Sequence, residues 1–201
     1  MRPSRLHQLV AAAGSTVLLA GVPSRLLAQG SPPATAAAPT TPAARPEDVA
    51  SIDAIIAAVY DVISGPKGQA RDWNRMRSLF IPGARLIPTG KKRDGTGFGS
   101  RVLSVEDYIS ASAKPLEDAG FREKEIARRT ERYGNIAQAF STYASYRGDE
   151  TTPFQRGINS IQLWNDGSRW WIVTIFWEGE RPDNPIPQRF LKGRSENGRD
   201  E

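Results

Sequence analysis

Between residues 121 and 178 the apolar pattern repeats every second position, in four long stretches separated by turn chemistry. Strands are predicted at 121–133, 135–146, 154–164 and 169–178, because alternate side chains of a strand point to opposite faces. The joints are Tyr133-Gly134-Asn135, residues 147–153 and Asn165-Asp166-Gly167, all rich in turn formers. Such short connections require antiparallel neighbours. The last stretch, "GSRWWIVTIFWEGE", is apolar on both faces. Arg169, Trp171, Val173, Ile175 and Trp177 share one parity, and Trp170, Ile172, Thr174 and Phe176 the other. Aromatic side chains on both sides of a strand call for cover on both sides.

Ahead of this region the period is helical. A first helix is predicted over residues 46–66: Val49, Ile52, Ile55, Ile56, Val59 and Ile63 form one face, Glu47 and Asp48 favour its start, and Gly65-Pro66 stops it. A second helix carries Trp73, Met76, Leu79 and Phe80 on one face, is broken by Pro82-Gly83, and leads into a strand at 84–88. Residues 89–101 read as a loop with a hairpin turn at Asp94-Gly95. Ser104 caps a third helix with Asp107 in the place of the usual Glu of a capping box. Its inward residues are Val105, Tyr108, Ile109 and Leu116, and Pro115 is expected to kink or end it. Helices first and strands after is an α+β plan, with three N-terminal helices packed on one face of a strongly curved, mostly antiparallel sheet.

Residues 1–28 read as a signal peptide. Arg2 and Arg5 form a basic start, residues 9–22 an apolar run, and Leu26-Leu27-Ala28 a cleavage site, with Ala34-Thr35-Ala36 as the alternative. The apolar run is about 14 residues, short of the roughly 20 that span a bilayer, so no membrane span is expected after cleavage, although a retained anchor is the competing reading. Residues 29–45 read as a disordered Pro/Ala-rich linker, 46–191 as the folded domain, and 192–201 as a polar, frayed tail. Within 183–191, "DNPIPQRFL" reads as an arm that lays Ile186 and Phe190 back on the domain or on a partner subunit. A periplasmic or secreted location follows from the leader. Without Arg2, Arg5 and Arg25 the 27 basic residues fall to 24 against 22 acidic, so +5 becomes +2 and the basic balance gives little reason to expect nucleic-acid binding.

The chain has no cysteine, and its one histidine, His7, lies in the leader. The mature chain therefore lacks the parts for Ser-His-Asp or Cys-His catalysis and for the usual zinc or copper site. No metal and no cofactor is expected, and any chemistry falls to Asp, Glu, Tyr, Lys, Arg or Ser. "GTGFG" lacks the Lys-Ser/Thr ending of a phosphate loop and does not open a helix.

The stretches "WNRMRSLFIPGARLIP", "VLSVEDYI", "ERYGNIAQAFSTYASY" and "RGINSIQLWNDGSRWWIVTIFWEGE" resemble the nuclear transport factor 2-like (NTF2-like, SnoaL/ketosteroid isomerase-like) superfamily, in particular its exported bacterial members, over residues 51–180. The resemblance implies a cone in which helices close one side of a bent sheet around a pocket, and a homodimer through the outer sheet face. The superfamily includes isomerases, dehydratases, cyclases and binding modules, so fold does not fix activity. Ketosteroid-isomerase-like members carry an acidic base on the strand after the second helix. Here that strand is Ala84-Arg85-Leu86-Ile87-Pro88, without a carboxylate, and no histidine is present for a His–Asp pair. Tyr60 is the residue that the resemblance offers as an oxyanion-donating tyrosine.

Candidate site residues follow from residue type and parity. Glu125, Arg128 and Arg129 lie in a strand of alternating sign, which fits a charged pocket wall or, against it, a solvated face with cross-strand ion pairs. Arg156, Asn159 and Gln162 lie on an otherwise apolar strand, where a buried amide needs a partner in the protein or in a ligand. Arg156 is the residue expected to meet an acidic or carbonyl-bearing ligand. Tyr60, Trp73, Tyr108, Tyr143, Trp171 and Trp177 are candidates for an apolar pocket with polar tips, or for plain core. Three functions follow: a homodimer binding a small apolar or amphipathic molecule, a lyase or isomerase using a carboxylate such as Glu125 as base, and a protein-interaction module whose pocket is filled.

Overall fold

The structure, a computed structural model, describes residues 41–196; the leader, most of the linker and the last five residues fall outside that range. The helical region holds α1 (Pro46–Val49), α2 (Ile52–Ile63), α3 (Trp73–Leu79) and α4 (Val105–Ala119). The strands are β1 (Phe80–Lys91), β2 (Phe98–Ser100), β3 (Phe121–Tyr133), β4 (Ile136–Arg147), β5 (Gln155–Asn165), β6 (Trp170–Gly179) and β7 (Arg194–Glu196), with a 3-10 turn at Gln188–Phe190.

All seven strands form one sheet in the order β2-β1-β6-β5-β4-β3-β7, curled but not closed. β3 to β6 form the antiparallel meander that the two-residue period predicts. Of the three remaining pairings, β1 with β2 is antiparallel and the other two are parallel, unlike the neighbours joined by short turns. β1 adds to β6 in parallel, with Leu86 opposite Ile175 and Pro88 opposite Trp177, and β7 adds to β3 in parallel. Both joins lie between strands far apart in the chain, where no turn forces the direction.

The first predicted helix is two. Ser51 interrupts it by accepting a hydrogen bond from the Ala54 N–H at 3.0 Å, as an N-cap does, so α2 starts afresh at Ile52. Phe80 leaves the second helix and opens β1. Pro82-Gly83 then makes a bulge inside that strand, with Gly83 at φ +81°, and does not end it. Pro115 neither kinks α4 to a stop nor ends it; the helix runs on to Ala119 and closes at Gly120, φ +68°. The Ser104–Asp107 capping box is formed in both directions.

The core lies between the helices and the concave face of the sheet, around Ile55, Ile56, Leu79, Phe80, Ile161, Leu163 and Ile172. Arg71 ties the helix ends together: its guanidinium donates to the Ile63, Gly65 and Leu116 carbonyls at 3.1, 2.8 and 3.0 Å. On the convex face the C-terminal arm buries Ile186, and the Phe190 carbonyl accepts from Thr142 Oγ1 at 2.6 Å. Arg194–Glu196, in the segment expected to fray, pairs with β3.

Candidate functional site

A cavity of about 240 Å³ opens between α2, α4 and the concave face of the sheet. Its apolar floor is made of Val59, Ile63, Met76, Leu86, Ile161 and Ile175. Aromatic residues raise its walls. Tyr60 comes from α2, Tyr108 from α4, Tyr143 from β4 and Trp177 from β6. The Tyr108 and Trp177 rings stand edge to face, 6.3 Å between centroids and 83° apart. Tyr143 lies across the backbone of Gly157, where a Cβ would come within 2.4 Å of the phenol oxygen. Only glycine leaves that space.

One carboxylate faces this cavity. Glu123 on β3 accepts from Ser145 Oγ at 2.7 Å, and the Asn159 amide also bonds to it. Burial pushes its carboxyl up to about 6, against those two hydrogen bonds, which pull it down. The phenols of Tyr60, Tyr108 and Tyr143 are raised by burial and, less, by the Glu123 charge.

Behind the wall runs a directed chain of hydrogen bonds. Ser141 donates to Glu125 Oε1 at 2.6 Å, so the 2.7 Å contact between Tyr60 and Ser141 is donated by the tyrosine. That leaves the Tyr60 oxygen to accept from Asn159 Nδ2 at 3.0 Å. Glu125 lies 3.5 Å from Arg128, whose guanidinium also pairs with Asp53. Both partners of the Glu125–Arg128 pair are almost fully buried, and Arg128 Nη1 has no protein partner among the described residues.

Of the candidate residues, Tyr60, Tyr108, Tyr143, Asn159 and Trp177 reach the cavity, whereas Trp73, Glu125, Arg128, Arg129, Arg156, Gln162 and Trp171 do not line it. Arg156 is turned to the convex side and binds Glu180 at 2.8 and 3.0 Å. Trp171 faces the convex side opposite Trp164, its indole N–H donating to Asp166 at 2.7 Å beneath the Arg169 guanidinium. Trp73 packs half-buried against the core outside the cavity. The cause for Trp171 is a bulge: Leu163 pairs with Ile172 but Gln162 with Thr174, so Val173 is skipped and parity reverses within β6. Trp170 and Ile172 therefore share the concave face with Ile175 and Trp177.

Glu125 stands one pleat from the cavity, occupied by Ser141 and Arg128. The acid at the cavity is Glu123, which residue patterning passed over. A readable signal was present: Phe121, Glu123 and Glu125 share a parity that matches Tyr143 and Ser145 across the pair. Among the described residues no group of three or more His, Cys, Asp or Glu side chains is placed to hold a metal, and no helix is long and apolar enough to cross a membrane.

No protein-family model matches the chain, and no curated protein matches it in sequence. Similar solved structures come from Silicibacter pomeroyi (14% identity, TM-score 0.42, covering 65% of this chain and 94% of that one) and Shewanella baltica (12%, 0.43, 65% and 98%). A third is from Methylobacillus flagellatus (15%, 0.42, 65% and 95%). All three are described as NTF2-like proteins of unknown function, the superfamily that the sequence resembles.

Proposed function

We propose that this is an exported protein that binds a small, mainly apolar molecule in the cavity between its helices and its sheet. The observation that carries the reading is an apolar floor beneath a few convergent polar groups, Glu123, Tyr143, Ser145 and Asn159. At about 240 Å³ the space is smaller than the ~300–1,000 Å³ usual for drug-sized ligands, which favours a compact molecule. A protein-interaction module with a filled pocket has no use for such a space.

A second reading, a lyase or isomerase, is favoured by one observation. A carboxyl held at about 6 beside buried phenols has the properties of a general base working near neutral pH. Glu123 then takes the role first offered to Glu125, and Tyr143 or Tyr108 that of the donor to a developing oxyanion.

The convex face carries Ile136, Phe140, Trp164 and Phe176, each at least 39% exposed, which supports a homodimer through that face. Sedimentation velocity is expected to give a dimer that Trp164→Glu splits; a monomer at all concentrations removes that part. For the cavity, native mass spectrometry of protein purified from its own cells is expected to show a retained small molecule, lost in Ser145→Trp. Equal retention by that variant refutes the site.

A further inference from the structure

Glu123 is a carboxylate drawn out of water without a counter-charge. Asp48, Glu125 and Glu180, which are also withdrawn from solvent, each meet an arginine: Arg75 at 2.7 Å, Arg128 at 3.5 Å and Arg156 at 2.8 Å. No ion pair reaches Glu123 among the described residues, and its side-chain partners, Ser145 and Asn159, are neutral. The cavity wall contains no lysine, arginine or histidine. Its sides are instead the rings of Tyr60, Tyr108, Phe121, Tyr143, Phe154 and Trp177. Aromatic faces attract cations through the ring quadrupole, by about 2 kcal/mol or more once the cation is desolvated. A fixed negative charge inside an aromatic enclosure thus lacks one component, a positive charge brought from outside.

We propose that the cavity takes a small organic cation, a protonated or quaternary amine on a compact apolar body, with its nitrogen against the Glu123 carboxylate. This rests on the cavity being a ligand site and adds the sign of the ligand's charge. An anion of the same size meets a like charge in a poorly solvated space, and a neutral ligand leaves the carboxylate desolvated without compensation. The groups facing Glu123 are Tyr60 from α2, Tyr108 from α4, Tyr143 and Ser145 from β4, and Asn159 from β5; Glu125, one pleat on, is engaged by Arg128. Burial keeps the phenols neutral far above pH 7, so Glu123 is the cavity group that titrates in the acid-to-neutral range. Its carboxyl at about 6 is free to lose its proton as the cation arrives.

The test is calorimetric titration of the full-length protein with three probes of one shape: cyclohexylamine, cyclohexanol and cyclohexanecarboxylate. The amine is expected to bind roughly tenfold or more tightly than the alcohol, and the carboxylate not at all. Glu123→Gln is expected to erase the preference for the amine while leaving alcohol binding in place. Should that variant fail to fold, wild-type protein carries the test alone. Its affinity for the amine is expected to rise roughly tenfold between pH 5 and 7, while that for the alcohol stays level. Alcohol or carboxylate binding as tight as the amine's overturns the cation and leaves the ligand site standing. Failure of all three probes to bind overturns both.

Discussion

Replacing Glu123 by glutamine is expected to change the pH dependence of stability, because Glu123 is buried without a counter-charge. The folded protein holds the Glu123 proton up to about 6, whereas an exposed glutamate releases it near 4.5. A carboxyl whose folded value lies above its unfolded one adds stability that is complete below about 4.5 and is lost as pH rises through about 6. At ~1.4 kcal/mol per pH unit, the gap corresponds to about 2 kcal/mol lost by wild type between pH 4 and pH 8. Asp48, Glu106 and Glu180, held low by Arg75, Arg77 and Arg156, act in the opposite sense, losing stability as pH falls. They are common to both proteins and cancel in the comparison. The assay is thermal unfolding of wild type and Glu123→Gln at matched pH values from 4 to 8. For a domain of this size, about 2 kcal/mol corresponds to roughly 4–8 °C, and the variant's advantage is expected to grow by that amount toward pH 8. A difference in melting temperature that is flat across the range refutes the burial of an unpaired charge. With it falls the electrostatic basis of the cation proposal.

Two further outcomes follow from the same wall. Tyr60→Phe leaves the Asn159 amide and the Ser141 hydroxyl without the oxygen between them, so urea unfolding is expected to show a loss of about 1–3 kcal/mol; an unchanged midpoint refutes the directed chain. Gly157→Ala brings a methyl within 2.4 Å of the Tyr143 oxygen and 2.5 Å of the Glu178 carbonyl, and because the latter is backbone, a loss of roughly 1–3 kcal/mol in thermal unfolding is expected. Wild-type stability in that variant refutes the close packing of Tyr143 on the strand.

The meander was legible because alternation and turn chemistry agreed at every joint from Phe121 to Gly179, and the ends of β3 to β6 lie within two residues of those predicted. The capping box at Ser104 was legible for the same reason: the signal is local, and nothing distant competes with it. What escaped was non-local. The parallel seam between β1 and β6 depends on side chains far apart in sequence, and no local period encodes it. Part of the site is hidden by single-residue irregularities. One skipped residue at Val173 sends Trp171 to the convex face, and another at Ile126 places Glu125 and Arg128 on the same side of β3. Parity counted straight through a bulge assigns every later side chain to the wrong face. Glu123 lies before the second bulge, and there the alternation itself was sound. It was passed over because a glutamate beside Arg122 and Lys124 has the look of an ordinary charged surface.

The seam that joins β1 to β6 has a kinetic meaning. Thr89 and Trp177, bonded through the threonine hydroxyl, are 88 residues apart, so β1 must wait in folding for a neighbour that lies beyond the rest of the antiparallel meander. During that interval Phe80, Ala84 and Leu86 lack the strand that will shelter them, and they are exposed to a stray partner. The last strand of the meander is thus the one whose arrival makes the earlier half of the chain safe.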